Sequence, residues 1–291
     1  MVFMSIEKQC ARAALDPAVF DALAGELGLG LVSIRETSGS TNTELADLAA
    51  SGQAGNLSVY FTEHQQQGKG RLGRDWVTPA GSSLTVSVLA VPGESMPTDS
   101  LSWYTMLAAL AWCQVVEELT GVAARIKWPN DVLAGDKKIC GILAQLVSTP
   151  KGFGVVVGTG MNVDQDATEL PVPTATSLRL ASGSPVSRSA LLTGYLRRFA
   201  ALDIAFREVR GNAAAGMNGF SGASLAGMVA AKLATLGHDV RVEFPDGSLL
   251  EGQAVDLEPD GALLVRDCAA RTHRVLAGDV HHVRRADGKY A

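Results

Sequence analysis

With 291 residues, 47% of them hydrophobic and 19% charged, the chain can build one large domain plus a small one, and a disordered or fibrous protein is excluded. A formal net charge of −5 gives no overall field that would draw in nucleic acid or an anionic membrane, so any anion binding must be local. The four cysteines, Cys10, Cys113, Cys140 and Cys268, lie far apart and form no C-x-x-C pair, which argues for free thiols rather than a zinc site or a disulfide framework.

At the N-terminus, Glu7 and Lys8 interrupt the apolar run that a signal peptide needs. No apolar stretch approaches the roughly 18 residues of a membrane span, and a cytoplasmic protein is expected. "DPAVFDALAGEL" predicts a short helix, with Asp16 as cap and Pro17 at its first position. "LVSIRET" alternates like a strand, and "STNTELADLAASG" carries a cap, an apolar stripe at Leu45 and Leu48, and a terminating Gly52. "NLSVYFTEH" and "SSLTVSVLAVP" read as strands, the second stopped by Pro92 and Gly93.

"TDSLSWYTMLAALAWCQVVEELTG" predicts a long helix capped by Thr98 or Asp99 and ended by Gly121. It is apolar almost all round, so it should be buried between layers. "ARIKWPNDVLAGDKKICGILAQLV" and "GFGVVVGTGMNV" predict three strand segments joined by tight turns, and "SRSALLTGYLRRFAALDIAFREVRG" a further helix. Near residue 235 the texture changes to short strands divided by Pro245-Asp246-Gly247 and Pro259-Asp260-Gly261. The expected division is an α+β domain over residues 1–234, with a mixed sheet packed with helices, and a small C-terminal β-barrel over 235–291.

One loop stands out. In "GKGRLGRDW", Gly68, Gly70 and Gly73 match the spacing G-x-G-x-x-G, a nominal dinucleotide fingerprint. That fingerprint needs a helix to begin inside it, yet Pro79 and Gly81 block one and the next element is a strand. A kinase-type glycine loop lacks its H-R-D and D-F-G partners, and no Walker A sequence occurs. What the residues allow is a flexible anion loop, or a solvated basic hairpin tip: glycines admit backbone N–H groups close to an anion, and Lys69, Arg71 and Arg74 add charge.

A second constellation, "KWPNDVLAGDKKICGIL", gathers Lys127, Asp131, Lys137 and Lys138 in an apolar region. If "VLAGDKK" is a hairpin, Asp131 and Lys138 sit at its two strand ends and can face each other. They are either a carboxylate and amine serving an acid substrate or a surface ion pair worth under about 1 kcal/mol. "STN" at Ser40, Thr41 and Asn42 can equally be a helix cap.

Together, "GSTNTEL", "TEHQQQGKGR", "GKGRLGRDW", "KWPNDVL" with Lys138 seven residues after Asp131, and "GTGMNV" resemble the biotin protein ligase family, over roughly residues 31 to 285. The resemblance implies a class II synthetase-like α+β domain with an SH3-like C-terminal barrel. It also implies an ATP-dependent ligase that makes biotinyl-5'-AMP from biotin and ATP with Mg²⁺, then biotinylates one lysine of a biotin carboxyl carrier domain. Catalysis would fall to Lys138, Arg71 and Asp131. Biotin would meet Ser40, Thr41, Asn42, Gln65, Lys69, Gly70, Arg71, Lys138 and Gly141. The nucleotide would meet Gly68, Gly73, Arg74, Trp76, Asn130 and Asn162, with Trp76 either covering adenine or packed in the core.

Lys69 stands where the family usually has arginine, which keeps the charge but loses the planar fork. Only about thirty residues precede "LVSIRET", too few for the helix-turn-helix of bifunctional members, so no nucleic-acid partner is expected. The competing expectations are a lipoate–protein ligase and a biotin-responsive repressor.

Overall fold

The computed structural model describes residues 12, 14–93, 95–276 and 278–282; Cys10 lies outside them. The chain runs through α1 (Pro17–Leu27), β1 (Val32–Ser38), α2 (Thr41–Ala50), β2 (Ser58–Gln65) and β3 (Ser83–Ala90). After α3 (Trp103–Thr120) come β4 (Ala124–Lys127), β5 (Asp131–Ala134), β6 (Lys137–Thr149) and β7 (Gly152–Asn162). Helices α4 (Leu178–Ser182), α5 (Arg188–Glu208) and α6 (Leu225–Lys232) follow. The last strands are β8 (Asp239–Glu243), β9 (Leu249–Leu257), β10 (Leu263–Arg266), β11 (Thr272–Val275) and β12 (Asp279–His282).

Strands β1 to β7 form one mixed sheet in the order β1-β2-β3-β7-β6-β5-β4. β1 and β2 are parallel because α2 is the crossover between them; hairpins and longer returns make the other neighbours antiparallel. As the sequence suggests, Asp16 caps α1 by accepting from the Ala18 N–H, and Ser40 caps α2.

Helices cover both faces of the sheet, which is why every residue of β3 is buried. Leu84, Val86 and Val88 join the main core with α3 and α5, where Trp112 stacks on Tyr195 at 4.1 Å between ring centroids. Leu89 joins a smaller core under α2 with Leu45, Ala49 and Tyr60. The all-round apolar helix is buried as predicted, but it begins at Trp103, not at Thr98 or Asp99. A 3-10 turn over Thr98–Ser102 runs straight into it, and the Trp103 N–H donates to carbonyls of that turn, so no side-chain cap is needed.

The C-terminal strands form a separate antiparallel sheet, in the order β11-β10-β9-β8-β12. Both Pro-Asp-Gly stretches are turns, with Gly247 and Gly261 at positive φ of 80° and 84°. Two tryptophans tie this sheet to the rest: Trp103 Nε1 donates to the Pro259 carbonyl (2.8 Å) and Trp128 Nε1 to that of Gly261 (3.0 Å). Among the described residues no helix is long and apolar enough to cross a membrane.

Candidate active site

A cleft of about 720 Å³ opens on the face of the large sheet that also carries α2, and it reaches across to β12. Its floor is flat because glycines alternate along β7. Gly158 and Gly160 point into the cleft, and Gly160 is register partner to Gly141 of β6. A Cβ on Gly160 would lie 2.4 Å from the Trp76 ring, and one on Gly158 would lie 2.0 Å from Asn42 Oδ1. The missing side chains are what let the indole and the start of α2 approach the strands.

Polar groups converge at one end. The Thr41 N–H donates to Gln65 Oε1 (2.9 Å), and the Ser87 hydroxyl lies 2.8 Å from Thr41 Oγ1 and 2.6 Å from Asn42 Oδ1. Asn42 Nδ2 donates to the Leu143 carbonyl, which ties α2 to β6. Ser40 both caps α2 and lines the cleft.

Charge gathers at the other end. Lys138 Nζ lies 2.6 Å from Asp131 Oδ1, without the alignment of a hydrogen bond. Lys127 also lines the cleft, and burial lowers the pKa of its amine against the pull of Asp131. Cys140, two residues after Lys138, is fully buried and burial raises its thiol, which leaves it a core residue and no nucleophile.

The loop "GKGRLGRDW" closes on itself as a small hairpin. The Trp76 N–H donates to Gly68 O, the Gly70 N–H to Arg74 O, and Lys69 pairs with Asp75 at 3.0 Å. A 3-10 turn over Arg71–Gly73 forms its tip, and no helix follows, so the dinucleotide fingerprint is a coincidence of spacing. From the tip, Arg71 donates to Asn130 Oδ1 (3.3 Å) and to the Gly278 carbonyl (3.2 Å), while Arg74 is ion-paired with Asp279. Burial lowers the pKa of the Arg71 guanidinium, and the charges of Asp279 and Asp131 oppose that shift.

Of the residues assigned to catalysis, biotin or nucleotide from the sequence, all line the cleft except Gly68 and Gly73, which belong to the loop backbone; Lys137 is exposed outside the cleft. Gly68 packs so tightly that a Cβ there would meet Trp76 O at 2.2 Å. Trp76 is not a core residue: its indole lies on the glycine floor, with Lys138 Nζ 5.5 Å from the ring centroid. The Asn162 amide is engaged by the protein itself, donating to Thr176 O and accepting from Gln165 Nε2. Asn130 donates to Ile142 O and so pins the Trp-Pro-Asn turn to β6.

The sequence motifs assign no role to Gly158, Gly160 or the stretch from Asp279 to His281, all at the cleft, nor to Ser87, which sits behind it on Thr41 and Asn42. The period-two glycines of "GTG" were a readable sign of close approach on one strand face. Nothing local marked Asp279.

Comparison with known proteins agrees with this geometry. Residues 35–162 match the Biotin/lipoate A/B protein ligase family, and residues 235–283 match the Biotin protein ligase C terminal domain. The biotin–[acetyl-CoA-carboxylase] ligase of Mycobacterium tuberculosis is 36% identical over 84% of this chain and 86% of its own length. The bifunctional ligase/repressor of Bacillus subtilis is 31% identical over 55% of this chain and 50% of its own. The fold superposes with a TM-score of 0.71 on a biotin protein ligase from Aquifex aeolicus in complex with biotin and ATP, at 23% identity, covering 87% of this chain and 99% of that one. With both parts of the chain matched in order and one relative similar across most of its length, the chain belongs to the biotin protein ligase family.

Proposed function

We propose that the chain activates biotin with ATP to biotinyl-5'-AMP and transfers the biotinyl group to one lysine of a biotin carboxyl carrier domain, both steps occurring in this cleft. One observation carries the reading: Lys138, Arg71 and Asp131 converge at one end of a flat glycine floor whose other end is a hydrogen-bonding pocket. An apolar ring system with a polar ureido head and an acid tail suits that division.

In the first step a biotin carboxylate oxygen attacks the α-phosphorus and pyrophosphate leaves. Bringing the two anions to 4 Å costs roughly 4 kcal/mol at an effective dielectric near 20. Lys138 and Arg71 offset that repulsion and hold the charge on the pentacoordinate phosphorus. Thr41, Gln65 and Ser40 hold the ureido ring, and Trp76 covers the bound intermediate. Mg²⁺ enters with ATP as part of the substrate; among the described residues no group of three or more His, Cys, Asp or Glu is placed to hold a metal ion.

In the second step the acceptor amine attacks the acyl carbon and AMP leaves. The amine must be neutral, and at pH 7 deprotonating a lysine of ordinary pKa costs roughly 4 to 5 kcal/mol. Asp131, released when Lys138 turns to the phosphate, takes that proton or orients the amine. The match of residues 235–283 to a biotin protein ligase domain favours biotin over lipoate as the acid. We place the reaction in the cytoplasm, where Cys113 and Cys140, both free and buried, stay reduced.

The test is to incubate the protein with ATP·Mg²⁺, a carrier domain and either biotin or lipoate, and to probe for covalent label. Streptavidin-reactive carrier with biotin alone is expected. No labelling, with biotin also failing to shift the melting temperature, overturns the proposal.

A further inference from the structure

We infer that the C-terminal sheet forms a working wall of the cleft, and that Asp279, with the Gly278 carbonyl, holds the arginines of the glycine loop over the reacting groups. The inference rests on reading the cleft as an adenylating site, and it makes Asp279 a positioning residue that acts through Arg74 and Arg71.

The loop needs such a hold. No side chain of its tip, Arg71 to Gly73, is fully buried, and Leu72 is 60% exposed at a positive φ of 56°. A segment that buries so little is poorly fixed by its own packing. Its attachments run outward through the two arginines: Arg74 to the Asp279 carboxylate, and Arg71 to the Gly278 carbonyl and Asn130 Oδ1.

The C-terminal sheet is shaped to provide them. Asp279 opens β12, where it pairs with Glu243 of β8. Gly278, just before it, has a φ of 152°, and a Cβ there would lie 2.9 Å from Val242 Cγ1 and 3.1 Å from the Glu243 carbonyl. Only glycine fits that close crossing. It leaves the Gly278 carbonyl facing Arg71 while Asp279, Val280 and His281 line the cleft.

The wall is also fixed relative to the chemistry. Trp128 grips the segment at two points, its backbone N–H donating to Thr235 Oγ1 (3.0 Å), ahead of β8, and its indole to the Gly261 carbonyl, in the turn between β9 and β10. Asn130 ends the same turn and Asp131 opens β5 directly after it, one touching Arg71 and the other Lys138. A single turn therefore sets the spacing between the latch and the reacting cations.

Hydrogen exchange of the peptide spanning residues 68–76, in protein without ligand, tests the latch whether or not the chain is a ligase. Asp279→Ala and Arg74→Ala, which break one pair from opposite sides, should each exchange about three- to fivefold faster, the scale of an exposed ion pair. Asp279→Glu should keep the wild-type rate. The charge-swapped Arg74→Asp/Asp279→Arg should restore it, an outcome that a merely structural role for Asp279 would not give. Wild-type exchange in both alanine variants, or no recovery in the swap, overturns the inference. In parallel, bound biotinyl-adenylate should dissociate several-fold faster from Asp279→Ala, with a raised KM for ATP and little change in kcat. A wild-type protein that forms no adenylate would overturn the ligase reading, and the exchange result would still decide the latch.

Discussion

Lys138 faces Asp131 because β6 carries one residue too many. Asp131 pairs with Gly141 and Val132 with Cys140, but Leu133 pairs with Lys138, which leaves Ile139 as a bulge. In a regular strand Lys138 and Gly141, three apart, would point to opposite faces. The bulge turns Lys138 onto the cleft face with Gly141, and the amine comes to rest 2.6 Å from the Asp131 carboxylate. In the proposed mechanism, the cation for the first step and the carboxylate for the second are thus held as a pair.

That pairing predicts separable losses. Asp131→Asn keeps the shape and removes the charge, so transfer to the carrier lysine should fall by about 10²-fold or more, the usual worth of a general base. Adenylate formation should fall by less than about tenfold, because Lys138 keeps its place on the strand. Single-turnover assays of the two steps check this, and equal losses would mean that Asp131 only positions Lys138.

Arg71→Gly removes the one loop arginine whose bonds reach both the Trp-Pro-Asn turn and the C-terminal sheet. Biotinyl-adenylate should then escape, and lysines on unrelated proteins should be labelled in proportion to their concentration. Streptavidin blots with serum albumin as bystander check it; labelling confined to the carrier would show that Arg71 does not retain the intermediate.

Trp112→Ala concerns stability alone. The ring is fully buried between layers and stacks on Tyr195 at an interplanar angle of 6°. Loss of its packing, and the cavity left behind, should cost about 3 to 5 kcal/mol. Urea unfolding should show a lower midpoint at an unchanged slope.

Much of this was legible in the chain, and the exceptions share a cause. Helix caps at Asp16 and Ser40, the Pro-Asp-Gly turns and the failure of a helix to follow Gly73 are local, and local chemistry sets them. Asp131 and Lys138 could be expected at the ends of a hairpin, but the bulge that turns Lys138 inward depends on the ladder with β5 and leaves no mark in composition. The start of α3 moved to Trp103 because a preceding turn supplied the bonds that a cap would have made. Asp279 was beyond reach altogether: it meets Arg74 from 205 residues away, across two sheets. The glycines of "GTG" were visible, yet their meaning lies in what presses on them, Asn42 and Trp76.

Gly160 and Gly158 make that meaning testable, since they share a strand and a face but differ in what lies above. Neither has a positive φ, so alanine strains neither backbone and only the space is changed. At Gly160 the new Cβ would meet the Trp76 ring at 2.4 Å. The strand is central in the sheet and cannot yield, whereas the indole belongs to a loop and can. Gly160→Ala should therefore fold normally, expel the indole, and weaken biotin binding by about 10- to 100-fold, as a misplaced binding surface does. At Gly158 the new Cβ would meet Asn42 Oδ1 at 2.0 Å, where the side chain is bonded to Ser87 and to the Leu143 carbonyl. Here the helix start must move, so Gly158→Ala should lower the melting temperature as well as the affinity. Calorimetric titration with biotin, tryptophan fluorescence and thermal melts distinguish the two. Wild-type affinity and emission in Gly160→Ala would show that the indole does not need the glycine floor.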